Sequence, residues 1–201
     1  MYVFDIRWDV TTAGPSPDDN KRTEIYLSGC GKAANGNPCI GCFNTDLWYT
    51  ERGKLTSPED IVARINKFAS NKYVSICGGE PTDQLDELIN LARQLKKNGY
   101  HVLMYTWKTF TDLINDVSYA PLFESIDVVI DGVYDYKQRV YRDNGDDGLF
   151  SSIGSGNQRV IDTSAWRRET PRNYISYRAD ELKGIAIGKD GSIAFTTIRP
   201  L

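Results

Sequence analysis

The sequence predicts an α/β fold built on parallel strands. Short apolar strands alternate with amphipathic helices as far as about Asp135, the pattern of consecutive strand–helix–strand units. Only four or five such units fit, which is too few for a closed eight-stranded barrel. An open partial barrel and a doubly wound sheet both remain, and in either fold the sites lie at the carboxyl ends of the strands.

The predicted elements follow one another in a regular order. Residues 1–9 alternate apolar and polar side chains as a strand does, and a polar stretch leads to a second strand at 23–27. Ser57-Pro58 begins a helix, because it offers a capping hydroxyl and a proline in the first turn. The later elements are a strand at 73–77, a helix through 85–95 that ends at Gly99, a strand at 101–105, a short helix at 110–114 and a strand at 127–131.

The C-terminal part of the chain breaks this pattern. We expect a core domain at residues 1–162 and an extension at 163–201 that packs on the core. Two short strands at 184–188 and 192–196, joined by Lys189-Asp190-Gly191, predict a β-hairpin within the extension.

Composition narrows the class of protein. The chain has 201 residues, 40% of them hydrophobic and 25% charged, with a net charge of −3. That charge gives no electrostatic reason to expect nucleic acid or an anionic membrane as partner. No apolar stretch reaches the roughly 18 residues that span a bilayer, and the N-terminus has no signal-peptide core. We therefore expect a cytoplasmic protein, whose thiols stay reduced.

Three of the four cysteines are clustered as C-x8-C-x2-C, at Cys30, Cys39 and Cys42. Thiolates are soft ligands that suit zinc, copper(I) and iron–sulfur clusters. A structural zinc site needs four ligands, usually as two close pairs, and Cys30 and Cys77 do not form a second pair. Cys77 could still fold back as a fourth ligand. The single histidine, His101, is expected to be an ordinary strand residue.

A four-iron cluster held by three cysteines leaves one iron open for a small molecule. Such a cluster needs a ligand-binding loop beside it, and Gly78-Gly79-Glu80-Pro81 follows the strand at 73–77. Two glycines let the backbone approach a ligand closely, and Glu80 offers a carboxylate to an amino group. The sequence therefore predicts a cluster and a ligand loop at neighbouring strand ends.

Four segments carry a resemblance to a known family. They are Arg22-Thr23 leading into Gly29-Cys30, the pair Cys39-x2-Cys42 followed by Phe43-Asn44, Gly78 to Pro81, and Gly154-Ser155-Gly156-Asn157-Gln158-Arg159 followed by two hydrophobic residues. Over about residues 1–162 the chain resembles the radical S-adenosylmethionine (SAM) enzymes. It looks most similar to the activating proteins of glycyl-radical enzymes, and the last motif favours the activator of anaerobic ribonucleotide reductase.

The resemblance implies a partial (β/α) barrel of the radical SAM type with a 4Fe–4S cluster and SAM as cofactors. Cys30, Cys39 and Cys42 would bind three irons, and SAM would bind the fourth. The positions implied in SAM binding are Phe43, Gly78, Gly79, Glu80, Thr106 and Asp131. No further catalytic side chain is implied.

The implied activity is the reductive cleavage of SAM by an electron from flavodoxin or ferredoxin. Its products are methionine and a 5′-deoxyadenosyl radical, which takes hydrogen from a glycine of a partner protein, the large subunit of anaerobic ribonucleotide reductase. One alternative is a radical SAM enzyme that acts on a small molecule, such as a carboxydeazaguanine synthase-like enzyme. Another is a non-catalytic metal-binding module that uses all four cysteines.

The cysteine loop departs from the family pattern of C-x3-C-x2-C by five extra residues, Lys32-Ala33-Ala34-Asn35-Gly36. Lengthening a loop costs little entropy, because closure depends only logarithmically on length. The extra residues are small and polar, and we expect them to form a surface bulge.

Overall fold

The centre of the molecule is an open β-sheet. We describe it from a computed structural model, which covers residues 1–10, 21–140, 153–168, 175–178, 185–187 and 193–195. The strands are β1 (Tyr2–Val10), β2 (Arg22–Leu27), β3 (Lys54–Leu55), β4 (Tyr73–Gly78), β5 (His101–Tyr105), β6 (Val128–Asp131), β7 (Arg159–Asp162) and β8 (Ile175–Arg178). Their order is β3-β1-β2-β4-β5-β6-β7-β8. The three central ladders, from β2 to β6, are parallel, and the outer ones are antiparallel.

Helices connect most of the strands. They are α1 (Gly31–Ala34), α2 (Pro58–Phe68), α3 (Leu85–Lys97), α4 (Phe110–Asn115), α5 (Ala120–Phe123) and α6 (Ser164–Arg168), with 3-10 turns at 45–47, 50–52, 81–84, 117–119 and 136–138. The Ser57 side chain accepts a hydrogen bond from the Asp60 N–H and so caps α2, as its sequence predicts. Gly99, with φ +77°, follows α3 in the left-handed conformation typical of a residue after a helix end.

The core lies between the sheet and the helices α2 and α3. Ile61 and Ile65 of α2 and Leu88 and Leu95 of α3 are completely buried in one cluster with the central strands. All residues of β4 up to Cys77 are buried, as expected for a strand covered on both faces. This packing holds the parallel strands side by side, with their carboxyl ends at one edge of the sheet.

The predicted fold class is confirmed, since the sheet has a parallel centre, is not closed, and is compatible with a partial (β/α) barrel. In the C-terminal part, β9 (Ile185–Ile187) and β10 (Ile193–Phe195) pair antiparallel, as the hairpin prediction requires. The connecting residues 189–191 lie outside the described part. Since β8 continues the main sheet, the division at residue 162 stays a prediction. Within the described ranges, no helix is both long and apolar enough to cross a membrane.

A buried cation joins the amino ends of the central strands. Arg22 of β2 is completely buried and donates to the Ser75 Oγ (2.7 Å) and the Val74 carbonyl (2.6 Å) of β4. Its Nη2 also lies 3.3 Å from the Nδ1 of His101, at the start of β5. Burial, and then the charge of Arg22, lower the pKa of His101 to about 3. The imidazole therefore stays neutral in the folded protein.

We predict that the free energy of unfolding falls as the pH drops from about 6.5 towards 3. The pKa of His101 is about 3 in the folded protein and 6.5 ordinarily, so only the unfolded chain takes up this proton. The contribution of His101 to the slope of the unfolding free energy against pH is at most about 1.4 kcal/mol per pH unit. Chemical denaturation between pH 4.5 and 7 measures it. Because the chain has one histidine, His101→Gln should flatten the slope, and an unchanged slope in that variant would contradict the assignment.

Candidate functional site

A cavity of about 300 Å³ lies at the carboxyl ends of the parallel strands. Each of the strands β2, β4, β5 and β6 supplies wall residues at its end or just after it, where the α/β pattern predicts a site. The lining residues are Tyr26, Cys30, Ala33, Cys39, Cys42, Phe43, Asn44, Trp48, Cys77, Gly78, Gly79, Tyr105, Thr106, Trp107, Gly132, Tyr134, Ile153, Gly154 and Gln158.

The structure brings the three clustered cysteines to this one cavity, and Cys77 lines it as well. Cys30 and Cys77 are buried, and Cys39 and Cys42 are half-buried. Among the residues that the structure describes, no three Cys, His, Asp or Glu side chains already form a group that could hold a metal ion. The thiols therefore share one wall without forming a closed ligand set.

Main-chain N–H groups point at two of these sulfurs. The N–H of Ala33 donates to Cys30, and the N–H of Tyr134 donates to Cys39. Burial raises the pKa of both thiols, and the two hydrogen bonds partly offset that rise. Sulfur ligands with N–H donors in a half-buried wall are the environment in which iron–sulfur clusters are held and tuned. The donor set fits such a cluster.

Cys77 has a different environment. Burial raises the pKa of its thiol well above the ordinary value, and the carboxylate of Glu24 raises it further. The neutral thiol is therefore favoured there. Cys77 also lies within strand β4 and not on the cysteine loop, as expected for a wall residue.

The extra residues in the cysteine loop are not simply a surface bulge, and that expectation needs correction. Residues 31–34 form the helical turn α1, and Ala33 is buried in the cavity wall. The small side chain of Ala33 permits this close packing, and its N–H reaches the Cys30 sulfur. Only the second half of the segment, residues 34–36, is exposed.

The glycine pair after β4 presses against the cysteine loop. A Cβ on Gly79 would lie 2.1 Å from the carbonyl oxygen of Gly29, and one on Gly78, which has φ +123°, would lie 2.2 Å from that of Leu27. The N–H of Glu80 donates to the same Gly29 carbonyl at 2.7 Å. The glycines line the cavity as predicted, but the close approach they permit is to backbone. Their contact with SAM stays a prediction.

Glu80 lies behind the cavity wall, completely buried. Its Oε1 accepts from the N–H and hydroxyl of Thr82 and from the hydroxyl of Thr106 (2.9 Å), and its Oε2 accepts from the N–H of Trp107 (3.0 Å). The carboxylate thus fixes two lining residues. Burial raises its pKa, and these hydrogen bonds oppose the rise. Direct contact between Glu80 and SAM stays a prediction.

Asp131 also lies outside the lining. It is 1% exposed, pairs through both oxygens with the guanidinium of Arg159, and accepts from the N–H of Phe110 at 2.6 Å. These contacts join the ends of β6 and β7 to the start of α4. Of the implied SAM-binding positions, Phe43, Gly78, Gly79 and Thr106 line the cavity, whereas Glu80 and Asp131 stand one layer behind it.

The motif at 154–159 holds a second loop against the cysteines. Gln158 Nε2 donates to the Gly132 carbonyl (3.1 Å), and Asn157 Nδ2 donates to the Val133 carbonyl (2.6 Å). From the loop after β6, the N–H of Tyr136 then donates to the carbonyl of Ile40, between Cys39 and Cys42, at 3.0 Å. We call residues 132–136 the β6 loop. The motif therefore supports the cysteine loop through the β6 loop.

Comparisons with known proteins identify the family of the chain. Residues 19–161 match the model of a family described as the 4Fe-4S single cluster domain. The chain belongs to this family. It is also 37% identical over 95 residues to a 7-carboxy-7-deazaguanine synthase of Koribacter versatilis (strain Ellin345), covering 42% of each chain. A pyruvate formate-lyase-activating enzyme of Clostridium pasteurianum is 29% identical over 90 residues, 42% of this chain and 36% of that enzyme.

Both matches span less than half of the relative's own length. Together with the family, they support membership of the radical SAM superfamily, with a 4Fe–4S cluster and SAM as cofactors. The earlier zinc alternative has no such support.

The sequence did not indicate the aromatic part of the wall. Tyr26, Trp48, Tyr105, Trp107 and Tyr134 all line the cavity. Four of them lie at or within three residues of a strand's carboxyl end, a position that could have identified them. Trp48 lies in a loop with no such signal and faces the site because its carbonyl accepts from the N–H of Cys30.

We predict that Gly79→Ala separates the glycine loop after β4 from the cysteine loop. A methyl group at this position must displace the Gly29 carbonyl, which lies 2.1 Å away, so the variant should lose most of its iron after anaerobic reconstitution. Gly156→Ala is the matched control, because a Cβ there meets the Gln138 carbonyl at an ordinary 3.6 Å. Iron per chain measures the outcome. Equal iron in both variants would show that the contact is dispensable.

We predict that Asn157→Asp releases the β6 loop, because it removes the donor to the Val133 carbonyl. Amide hydrogen exchange at Tyr136 in the cluster-free protein should accelerate at least several-fold. Asn98→Asp is the control, since Asn98 Nδ2 makes the equivalent bond to the Gln94 carbonyl on the far helix α3. Each change should cost about 1 kcal/mol of stability. Unchanged exchange at Tyr136 in Asn157→Asp would refute the coupling.

Proposed function

We propose that this chain is a radical SAM activase that generates a glycyl radical on a partner protein, namely the large subunit of anaerobic ribonucleotide reductase. The observation that carries the proposal is the character of the cavity wall. Its described lining includes no Lys, Arg, His, Asp or Glu. The matched activating enzyme and the resemblance of residues 154–161 support the same proposal.

Several polar side chains of the wall are already bonded to the protein, although the indole N–H groups of Trp48 and Trp107 are not. Thr106 donates to Glu80, and Gln158 Oε1 accepts from the Gly154 N–H. Little polar recognition is therefore left for a small charged substrate, whereas a glycine in a peptide chain needs close apolar contact and little else. An uncharged aromatic wall suits such a segment.

Exposed apolar side chains flank the cavity on the cysteine loop and the β6 loop. Ile40 is 58% exposed, Phe43 65% and Tyr136 52%. The loops that carry them are joined by the hydrogen bond from Tyr136 to Ile40. Neighbouring exposed apolar groups at a site favour a protein partner. The glycine-bearing segment of the partner would cover them and exclude water from the cavity.

The site residues have separate roles in this proposal. Cys30, Cys39 and Cys42 bind the cluster, Phe43 packs against the adenine of SAM, and the main chain at Gly78 and Gly79 meets its amino group. When bound and reduced by flavodoxin or ferredoxin, the cofactors supply a 5′-deoxyadenosyl radical. Glu80, through Thr106 and Trp107, keeps the wall in place around it.

The second candidate is a radical SAM enzyme that acts on a small molecule. It is favoured by the 37% identity to the 7-carboxy-7-deazaguanine synthase. Residues within 136–201 would then supply the charged contacts that the described wall lacks. The third candidate, a non-catalytic module, is favoured only by the presence of Cys77 in the same wall.

The decisive experiment is anaerobic reconstitution with iron and sulfide, followed by SAM and a strong reductant. We expect 5′-deoxyadenosine, measured by chromatography, and a glycyl radical in the electron paramagnetic resonance spectrum once the reductase subunit is added. Absence of 5′-deoxyadenosine would reject the radical SAM activity. Formation of 5′-deoxyadenosine without a glycyl radical would favour the small-molecule enzyme.

A pair of cysteine variants tests the ligand set. Cys39→Ser should abolish the cluster, because two thiolates cannot hold it. Cys77→Ser should keep it, because the Cys77 environment favours the neutral thiol. Iron content and the visible absorbance of the cluster measure both. Loss of the cluster in Cys77→Ser would favour the four-cysteine module.

A further inference from the structure

Two side chains beside the cluster cysteines have unused binding capacity. The Lys32 ammonium, on α1, lies 5.5 Å from the ring centroid of Trp107. Lys32 forms no salt bridge with any carboxylate in the described part of the chain. Trp107 lines the cavity, and its indole N–H is buried without a hydrogen-bond acceptor among the described residues.

An unpaired buried N–H group costs free energy, and native proteins normally provide it with a partner. The indole of Trp48 lines the same cavity and also lacks an acceptor there. Orphan donors in a cavity wall indicate a ligand that brings hydrogen-bond acceptors. Because the Lys32 ammonium lies over the ring of Trp107, the matching acceptor group is an anion.

The main chain that carries each of these side chains is held in place by the surrounding structure. The N–H of Trp107 is fixed by Glu80 at 3.0 Å. Helix α1 is anchored by the bond from the Gly31 N–H to the Asp83 carboxylate, 2.7 Å long. The arrangement of Lys32 and Trp107 is therefore part of the fold.

A second ammonium near Trp107 is already occupied. Lys108 Nζ lies 5.6 Å from the Trp107 centroid, but it donates to the hydroxyls of Thr82 (2.7 Å) and Tyr119 (3.0 Å). It also pairs with Asp83 at 3.5 Å. Of the two cations beside Trp107, Lys32 is the one without a counter-charge.

We propose that Lys32 and Trp107 form a carboxylate subsite for the methionine end of SAM. The extra residues of the cysteine loop would then be a cofactor-binding element rather than a tolerated insertion. The described lining offers no cation of its own, so an ammonium at its edge supplies the charge that the SAM carboxylate needs. This inference rests on the proposed position of the cluster and SAM, but not on the partner that receives the radical.

The test compares SAM with decarboxylated SAM, which keeps the sulfonium and the amine and lacks only the carboxylate. Binding to the cluster-loaded protein is measured by equilibrium dialysis without reductant, so no turnover enters the readout. In Lys32→Met, SAM affinity should fall roughly ten-fold, as for the loss of a charged hydrogen bond. The affinity of Lys32→Met for decarboxylated SAM should change less than about two-fold, because this ligand has no carboxylate for the ammonium to bind. Lys32→Arg keeps the positive charge and should retain SAM binding.

Lys137→Met is the matched control, because Lys137 is an exposed lysine that follows the β6 loop and its loss changes the net charge equally. The proposal is overturned if Lys32→Met binds SAM as Lys137→Met does, or if it loses both ligands equally. Affinities are normalised to iron content. If Lys32→Met takes up no cluster, Trp107→Phe, which removes the indole N–H, is tested in its place. The measured quantity is again the affinity for SAM relative to that for decarboxylated SAM. If the protein binds SAM normally but forms no 5′-deoxyadenosine, the proposed function is rejected and the carboxylate subsite is not.

Discussion

The site depends on one close backbone contact between two loops. The carbonyl of Gly29, just before Cys30, accepts from the N–H of Glu80 at 2.7 Å, and Gly79 packs against the same carbonyl. Since β2 and β4 are adjacent and parallel, their carboxyl ends bring these loops together. Only a residue without a Cβ at position 79 can lie as close to the Gly29 carbonyl as the structure requires. The cysteine loop and the glycine loop after β4 therefore form one unit, because neither can move without breaking this contact.

The cysteine loop has a second support on its other side. The β6 loop donates to the Cys39 sulfur from Tyr134 and to the Ile40 carbonyl from Tyr136. The amides of Asn157 and Gln158 hold that loop in turn. A motif that looked characteristic of a family is thus explained by hydrogen bonding, since two side-chain amides satisfy carbonyls that the turn after β6 leaves unpaired. Strands from both halves of the sheet converge on three thiols.

The features that could be predicted from the sequence are those that depend on residues close together in the chain. The bounds of β5, the cap of α2 at Ser57 and the end of α3 at Gly99 all follow from alternation, capping and left-handed glycine, and the structure has them where the sequence indicates. The cysteine spacing likewise indicated a shared site. What could not be predicted depends on contacts distant in sequence: Glu80 is enclosed by residues 26 and 27 positions away, and α1 turns inward because Asp83 holds its first N–H. No periodicity encodes such pairings.

The position of charge follows from these long-range contacts. The carboxylates of Glu80 and Asp131 lie behind the wall, where Thr106, Trp107 and Arg159 satisfy them, and the described surface of the cavity consists mainly of aromatic residues, glycines and cysteines. A wall of this kind has a low local dielectric, so a charge at its edge acts on a bound ligand with little screening. In the proposed function the cavity confines a radical and holds a charged cofactor, and it would meet both needs by keeping its carboxylates buried and the Lys32 ammonium at the rim.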